Sequence, residues 1–266
     1  MKHLTVDELK IRDEASFRHV GLYASLKEVL RHSRYRFRVL PKGRSLRSDQ
    51  ALLLNLTYWS PEVGGDVLAD GGTEADVVAH VAWHHLAAGV LARGAGQGSR
   101  QARMYPEALL LGEAIASAFD VYLVGRLLGH ASNSRFLRTQ VPAMAETARE
   151  AGATKSQFKR LLEDLVADPD RAFEQMRSLL CDAGAALFAC RDAEEAYGAL
   201  TKLQGRPLGV LLHRYELSNW VLYARAYASE TLGPDARVRE VDRALRGDGV
   251  VAIDWLTKHW VLPRLG

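Results

Sequence analysis

The chain has 266 residues, which is enough to bury a sizeable core as one large domain or two small ones. Its hydrophobic content of 48% and charged content of 25% are those of an ordinary globular protein. The net charge is only +3, so overall charge does not favour nucleic acid as a partner.

The N-terminal segment and the cysteines predict a cytoplasmic location. The first residues, MKHLTVDELKIRDEAS, are charged and lack the apolar region of a secretory signal. No run approaches about eighteen uninterrupted apolar residues, so no membrane span is expected. Cys181 and Cys190 lie in one predicted helix, about two and a half turns apart, which is too far for a disulfide within that helix. Two buried thiols in a reducing compartment fit this spacing.

A helix followed by a strand is predicted in the first forty residues. Apolar residues at helical spacing indicate a helix over Ser16–His32. Arg34, Arg36 and Arg38 then alternate with Tyr, Phe and Val, which is the period of two of a half-buried strand. The favoured interpretation of the arginines is the solvated face of an edge strand. The alternative is a basic patch for an anionic ligand or nucleic acid.

The next thirty residues predict more β-structure. Gln50–Trp59 has the composition of one strand, and Asp66–Leu68 of a short second one. Asp70-Gly71-Gly72 is a clear turn signal. We therefore expect a small antiparallel sheet at the N-terminal side.

After residue 73 the pattern is close to all-helical. This predicts an α+β fold, with a metal-site domain over 1–135 and a helical domain or subdomain over 136–266, or one continuous domain. The predicted helices cover Asp76–Leu91, Pro106–Leu128, Met144–Ala151, Lys155–Ala167, Asp170–Leu187, Ala193–Leu203, Val210–Thr231, Ala236–Arg246 and Val251–Trp260.

The first of these helices carries a candidate metal half-site. His80 and His84 are four residues apart, so their side chains differ by only about 40° around the helix axis. Two imidazoles one turn apart can converge on one ion. Asp76, one turn earlier, is a candidate acceptor for the distal nitrogen of His80. His85 points about 100° away from the pair. The alternative is two polar residues on the rim of a helix.

The second helix adds two acids to an apolar run. Glu113 and Asp120 are seven residues apart and therefore lie on nearly the same stripe. Buried acids need partners, and a metal or its histidine ligands would supply them. The alternative is an arginine partner, with Arg126 and Arg103 as candidates.

The combination of an HxxxH helix, preceded by strands and followed by a helix with a GE-x-x-A-x-x-x-D pattern, resembles the gluzincin branch of the zinc metallopeptidases. The resemblance covers roughly residues 50–128. It implies that His80, His84 and Glu113 are ligands of zinc or another divalent metal. It also implies that Asp120, one turn later than the familiar spacing, orients a ligand histidine.

One position departs from that family. Its members have a glutamate directly after the first histidine as general base, whereas this chain has Val81. Ordinary peptidase activity is therefore not expected. His85, Glu107 and Glu74 are candidates for a replacement base, and His213 and Tyr215 are candidates for stabilising an oxyanion.

Three functions remain open from the sequence. The first is a zincin-like metal-binding protein without ordinary peptidase activity. The second is a non-enzymatic scaffold or regulatory protein that contacts a protein partner through its helical half. The third is a metal-dependent enzyme of different chemistry, including a three-histidine site completed by His130 or His213. The ExxH motif of a carboxylate-bridged di-iron bundle is absent from the predicted helices.

Overall fold

The computed structural model describes residues 2–40, 52–54, 57–60, 65–69, 71–91, 106–212 and 236–266. Within these ranges the chain is mainly helical, with a small sheet built from its N-terminal side. The predicted α+β class is confirmed. The α-helices are α1 (Gly21–His32), α2 (Ala75–Leu91), α3 (Pro106–Leu128), α4 (Arg135–Glu150), α5 (Lys155–Ala167), α6 (Pro169–Leu187), α7 (Ala193–Thr201), α8 (Ala236–Leu245) and α9 (Ala252–Leu256).

The strands form one five-stranded sheet and one separate pair. They are β1 (Lys2–Leu4), β2 (Lys10–Arg12), β3 (Phe37–Val39), β4 (Leu52–Leu54), β5 (Thr57–Ser60), β6 (Gly65–Leu68) and β7 (Gly72–Glu74). The order in the larger sheet is β1-β3-β6-β5-β4, and β2 pairs with β7. The β3–β6 and β2–β7 pairs are parallel, so the β-structure is mixed rather than antiparallel throughout.

Two details of the predicted strands were wrong. The single strand expected over Gln50–Trp59 is two short strands, β4 and β5, which pair antiparallel with Leu54 opposite Thr57. Because both halves of this stretch have strand-like composition, the sequence does not show that it forms two strands. The three-residue strands β1 and β2 were not predicted, because three residues are too few for a periodic signal.

The alternating arginine and apolar residues of 34–39 have the predicted burial pattern, but their strand lies elsewhere in the sheet than predicted. Phe37 and Val39 are buried, Arg38 is half-buried, and Arg34 and Arg36 are exposed before the strand begins. Because β3 lies between β1 and β6, it is an interior strand, and the edge-strand interpretation is wrong. Whether these arginines bind an anion stays a prediction.

Helices α2 and α3 form the centre of the core. Twelve of the seventeen residues of α2 are buried, as expected for a helix that is apolar on most faces. Helix α3 packs against α2 and also against α6. Close packing of α2 on α3 uses Gly112, where an added Cβ would lie 3.0 Å from the Cβ of Ala87. The fold therefore brings the two helices of the predicted metal site into direct contact.

Within the described part of the chain, Glu107–Leu128 is long and apolar enough to cross a membrane by composition. In the folded protein, however, 83% of its most apolar window is buried. A core helix passes the same test of length and hydropathy, because both kinds of helix are surrounded by apolar groups.

The helical half differs from prediction mainly at its ends. Helix α4 begins at Arg135 rather than Met144, because Ser134 caps it and Pro142 lies inside the helix rather than before it. The chain after α9 continues as a π-helix over Thr257–Val261. Most of the predicted helix Val210–Thr231 lies outside the described residues.

The hydrophobic core contains residues from both sides of position 135, such as Phe119 and Phe173. The division into 1–135 and 136–266 stays a prediction.

Candidate metal centre

Helix α2 places His80 and His84 side by side. Their ring centroids are 4.6 Å apart, as the four-residue spacing requires. His80 is completely buried, and the side chain of His84 retains 16% exposure. The pair therefore lies at the inner wall of the α2–α3 contact, with His84 on its outer side.

Helix α3 supplies the carboxylate that faces both rings. Oε2 of Glu113 lies 2.9 Å from Nε2 of His84 and 3.6 Å from Nε2 of His80. The other oxygen, Oε1, accepts a hydrogen bond of 2.9 Å from the hydroxyl of Ser117. Ser117 therefore holds the carboxylate with Oε2 turned towards the histidines.

The three ligand atoms have a spacing that suits a metal ion. One atom each from His80, His84 and Glu113 lie within 4.8 Å of one another, so this group can hold a metal. Ligands bound tetrahedrally at about 2.0 Å are roughly 3.3 Å apart. The two measured distances, 2.9 and 3.6 Å, lie on either side of that value. A small adjustment of Glu113 would equalise them.

Each histidine is oriented by an acid on its far side. Nδ1 of His80 donates to Oδ2 of Asp120 at 3.1 Å, and Nδ1 of His84 donates to Oδ2 of Asp66 at 2.8 Å. A carboxylate that accepts from Nδ1 leaves the Nε2 lone pair for an ion, as in many metal sites. Both imidazoles therefore present Nε2 to the same small volume.

Nε2 of His80 has no hydrogen-bond partner among the described residues, although it is buried. A buried polar atom without a partner costs about 1–3 kcal/mol. Nδ1 already donates to Asp120, so once Nε2 has released its proton its lone pair faces Oε2 of Glu113 and needs a donor or a cation. The residues present therefore fit a metal ion.

Charge in the cluster is balanced by protons when no ion is bound. Burial lowers the pKa of His84, but hydrogen bonds and charge from Asp66 and Glu113 outweigh it and raise the pKa to about 9. His80 has its pKa raised in the same way by Asp120 and Glu113. Burial alone would raise the pKa of Glu113, yet the two histidines hold it well below its ordinary value. A divalent cation can therefore replace two protons without changing the total charge.

The acid that supports His80 is not the one predicted from helical spacing. Asp76 is buried on α2, but the hydrogen bond to Nδ1 of His80 comes from Asp120 on α3. Asp120 accepts this hydrogen bond, and its role in orienting a metal ligand stays a prediction. Arg126, the alternative partner for the α3 acids, donates instead to the hydroxyl of Tyr122. Arg103, the other alternative partner, lies outside the described residues.

The contacts of Asp66 and Ser117 with the cluster were not predicted from the sequence. Asp66 belongs to β6, eighteen residues before His84, and only the folding of the sheet against α2 brings the two together. Its signal was a single acid in a short apolar strand just before the histidine helix. Ser117 follows Glu113 by one helical turn, a spacing that could have indicated the hydrogen bond.

The remaining candidates are placed elsewhere or lie outside the described residues. The ring of His85 packs edge-on against Tyr35, with centroids 5.0 Å apart, rather than against the cluster. His130 is exposed and lies beside His19, so it does not complete a three-histidine site with His80 and His84. His213 and Tyr215 fall outside the described residues.

The position directly after His80, where a general base was looked for, holds an apolar core residue. Val81 is completely buried. Glu74, suggested as a substitute base, is ion-paired with Arg12 at 2.7 Å and Arg135 at 3.3 Å. Val81 carries no carboxylate, and the carboxylate of Glu74 is held by these two arginines.

No protein-family model matches the chain, and the comparisons found neither a curated protein nor a solved structure similar to it.

Proposed function

We propose that this protein binds one zinc ion through Nε2 of His80, Nε2 of His84 and Oε2 of Glu113. The observation that carries the proposal is the buried Nε2 of His80, which has no hydrogen-bond partner among the described residues and lies 3.6 Å from Oε2 of Glu113. Two imidazoles and one carboxylate are a donor set typical of zinc. The paired acids Asp120 and Asp66 add the outer support that such ligands use.

The proposed site is a zincin-like centre without ordinary peptidase activity. Three protein ligands leave the fourth tetrahedral position for a small molecule, which is the arrangement of zinc enzymes. Hydrolysis also needs a group that takes a proton from the attacking water. Val81 offers no such group, and its complete burial makes that position part of the core. We therefore expect metal binding to be retained and peptide hydrolysis to be absent.

Metal analysis of protein purified without chelators tests the proposal directly. We expect about one equivalent of zinc in the wild type and little in His80→Ala, His84→Ala or Glu113→Gln. His85→Ala is the matched control, because it removes an adjacent histidine that packs on Tyr35 instead. Wild-type protein that contains no metal, takes up none on zinc addition and is equally stable with and without zinc would contradict the proposal.

The second candidate is a non-enzymatic protein that keeps the metal for structure and acts through protein contacts of its helical half. The burial of Val81 favours it. Zinc-loaded Val81→Glu and Val81→Gln distinguish a silenced peptidase from a structural metal protein. Both variants introduce a polar side chain of the same size, but only Val81→Glu introduces a base. Peptidase activity in Val81→Glu alone would indicate a silenced peptidase. Zinc retention without activity in either variant supports the structural role.

A further inference from the structure

A cavity of about 400 Å³ opens beside the first turn of α2, away from the three proposed metal ligands. Its walls come from β2, β7, the end of β6 and helix α4. None of His80, His84 and Glu113 lines it. Its size is in the range of cavities that bind small molecules, about 300–1,000 Å³.

One side of the cavity is positively charged. The guanidiniums of Arg12 and Arg135 both contact Oε1 of Glu74, at 2.7 and 3.3 Å. Their side chains remain 40% and 57% exposed. Two guanidiniums that share one carboxylate oxygen keep donors for a second carboxylate, because each carries five N–H groups.

The inner side is acidic and has an unsatisfied acceptor. Oε2 of Glu74 is buried and has no hydrogen-bond partner among the described residues. Asp76, a buried acid at the start of α2, is also among the residues that line the cavity. Burial, together with the charges of Asp120 and Glu74, raises the pKa of Asp76 to about 7. A cationic donor at this place would satisfy Oε2 and relieve the repulsion among the acids.

The rest of the lining is mixed, with the polar residues Thr73, Thr139 and Gln140 beside apolar ones. Leu68, Val77 and Phe136 are buried residues that contribute to the wall. A ligand that fits must therefore carry an anionic group, a cationic donor and an apolar part close together.

We propose that this cavity binds a free α-amino acid with an apolar side chain. Its carboxylate would contact Arg12 and Arg135, and its ammonium group would donate to Oε2 of Glu74 and to Asp76. Its side chain would pack against Phe136. The site is separate from the proposed zinc site. Asp76, which lines the cavity, lies about one helical turn before the zinc ligand His80 on α2.

Isothermal titration calorimetry with L-leucine and L-phenylalanine tests the ligand chemistry. We expect saturable binding of at least one of them. N-acetyl-L-leucine lacks the ammonium group, and L-leucinamide lacks the carboxylate. If leucine is the ligand, each derivative should bind at least about tenfold more weakly than L-leucine. The reason is that a charge-assisted hydrogen bond contributes about 1.5–3 kcal/mol. The corresponding phenylalanine derivatives serve if phenylalanine binds. Absence of saturable binding by both amino acids, or equal binding of the blocked derivatives, would overturn the proposal.

Variants locate the binding in this cavity. Glu74→Gln and Arg135→Gln should each weaken binding about tenfold or more. Arg138→Gln is the control, since Arg138 is an exposed arginine of α4 that does not line the cavity. The exposure of Arg135 ensures that Arg135→Gln folds even if Glu74→Gln does not. Unchanged binding in Arg135→Gln would overturn the proposal. His84→Ala should lose zinc but keep amino-acid binding, because His84 does not line the cavity. The zinc proposal and the amino-acid proposal can therefore fail independently.

Discussion

Arg177 on α6 and His80 on α2 are both completely buried, yet their surroundings differ. The guanidinium of Arg177 donates to both carboxylate oxygens of Glu174 and to Asp242, each at 2.7 Å. The imidazole of His80 donates to Asp120, but its other nitrogen has no partner among the described residues. One buried polar residue is satisfied by its own neighbours, and the other is not.

The two clusters also differ in the side chain that supplies the positive charge, which is arginine in one and histidine in the other. The helical half holds Glu174, Asp182 and Asp242 with the guanidiniums of Arg177, Arg206 and Arg246, which stay charged at all ordinary pH values. The α2–α3 cluster holds its acids with imidazoles, which can release a proton to make room for a metal ion. A permanent ion-pair cluster can only stabilise the fold, whereas a histidine cluster can exchange protons for a ligand.

The largest expected effect comes from breaking the satisfied cluster. Arg177→Ala removes the buried cation from Glu174 and weakens the pairing of Asp242, which keeps Arg246, and it should lower the free energy of unfolding by about 3–5 kcal/mol. Urea denaturation measures it. Arg243→Ala, an exposed arginine on α8, should change it little. Zinc content should be unchanged in any Arg177→Ala protein that folds, and loss of zinc from folded protein would mean that the two clusters are coupled.

The next effect is the pH dependence of the metal-free protein. His84 has a pKa of about 9 in the fold against 6.5 in the unfolded chain. Its protonated form therefore stabilises the metal-free fold below pH 6.5, and this contribution is lost as the pH rises to about 9. The stability difference between wild type and His84→Gln should shrink over that range in urea titrations, while the stabilisation by added zinc should grow. His85→Gln should keep the wild-type slope, and an identical slope in His84→Gln would contradict the assignment.

A smaller effect is expected where α2 and α3 touch. Gly112→Ala puts a methyl group 3.0 Å from the Cβ of Ala87 and should cost about 1–3 kcal/mol, because the helices must separate. Zinc affinity should fall with it, since Glu113 is the next residue. Gly198→Ala meets nothing within 4 Å and should stabilise helix α7 by about 0.5–1 kcal/mol. Thermal unfolding and zinc titration measure both, and unchanged zinc affinity in Gly112→Ala would show that the site tolerates helix separation.

The smallest effect tests the support of Glu113. Ser117→Ala removes the hydrogen bond to Oε1 and should cost about 0.5–1.5 kcal/mol of stability. Loss of such outer support typically weakens metal binding about 10–100-fold. Ser178→Ala is the control, because among the described residues that hydroxyl donates to the backbone carbonyl of Gln175 in its own helix. Competition with a chelator measures the affinity, and an unaltered value would show that Glu113 is held by other contacts.

The sequence by itself determined features that depend on local spacing. Four residues between His80 and His84 place both rings on one helix face in any α-helix, and the apolar run around Glu113 buries that acid in any folded arrangement. The same kind of periodicity predicted most helices and the α+β class. The division into β4 and β5 was missed because the whole stretch has strand-like composition. The start of α4 was missed because a proline inside a helix contradicts the usual local signal.

Only the tertiary structure decided which acid supports which histidine. Asp76 has the better helical spacing, but Asp120, forty residues from His80, makes the hydrogen bond, and Asp66 reaches His84 from a strand. Contacts between elements distant in the chain depend on how helices and sheets pack, which local periodicity does not specify. For the same reason, the unsatisfied nitrogen of His80 and the charged cavity beside α2 became visible only in the folded protein.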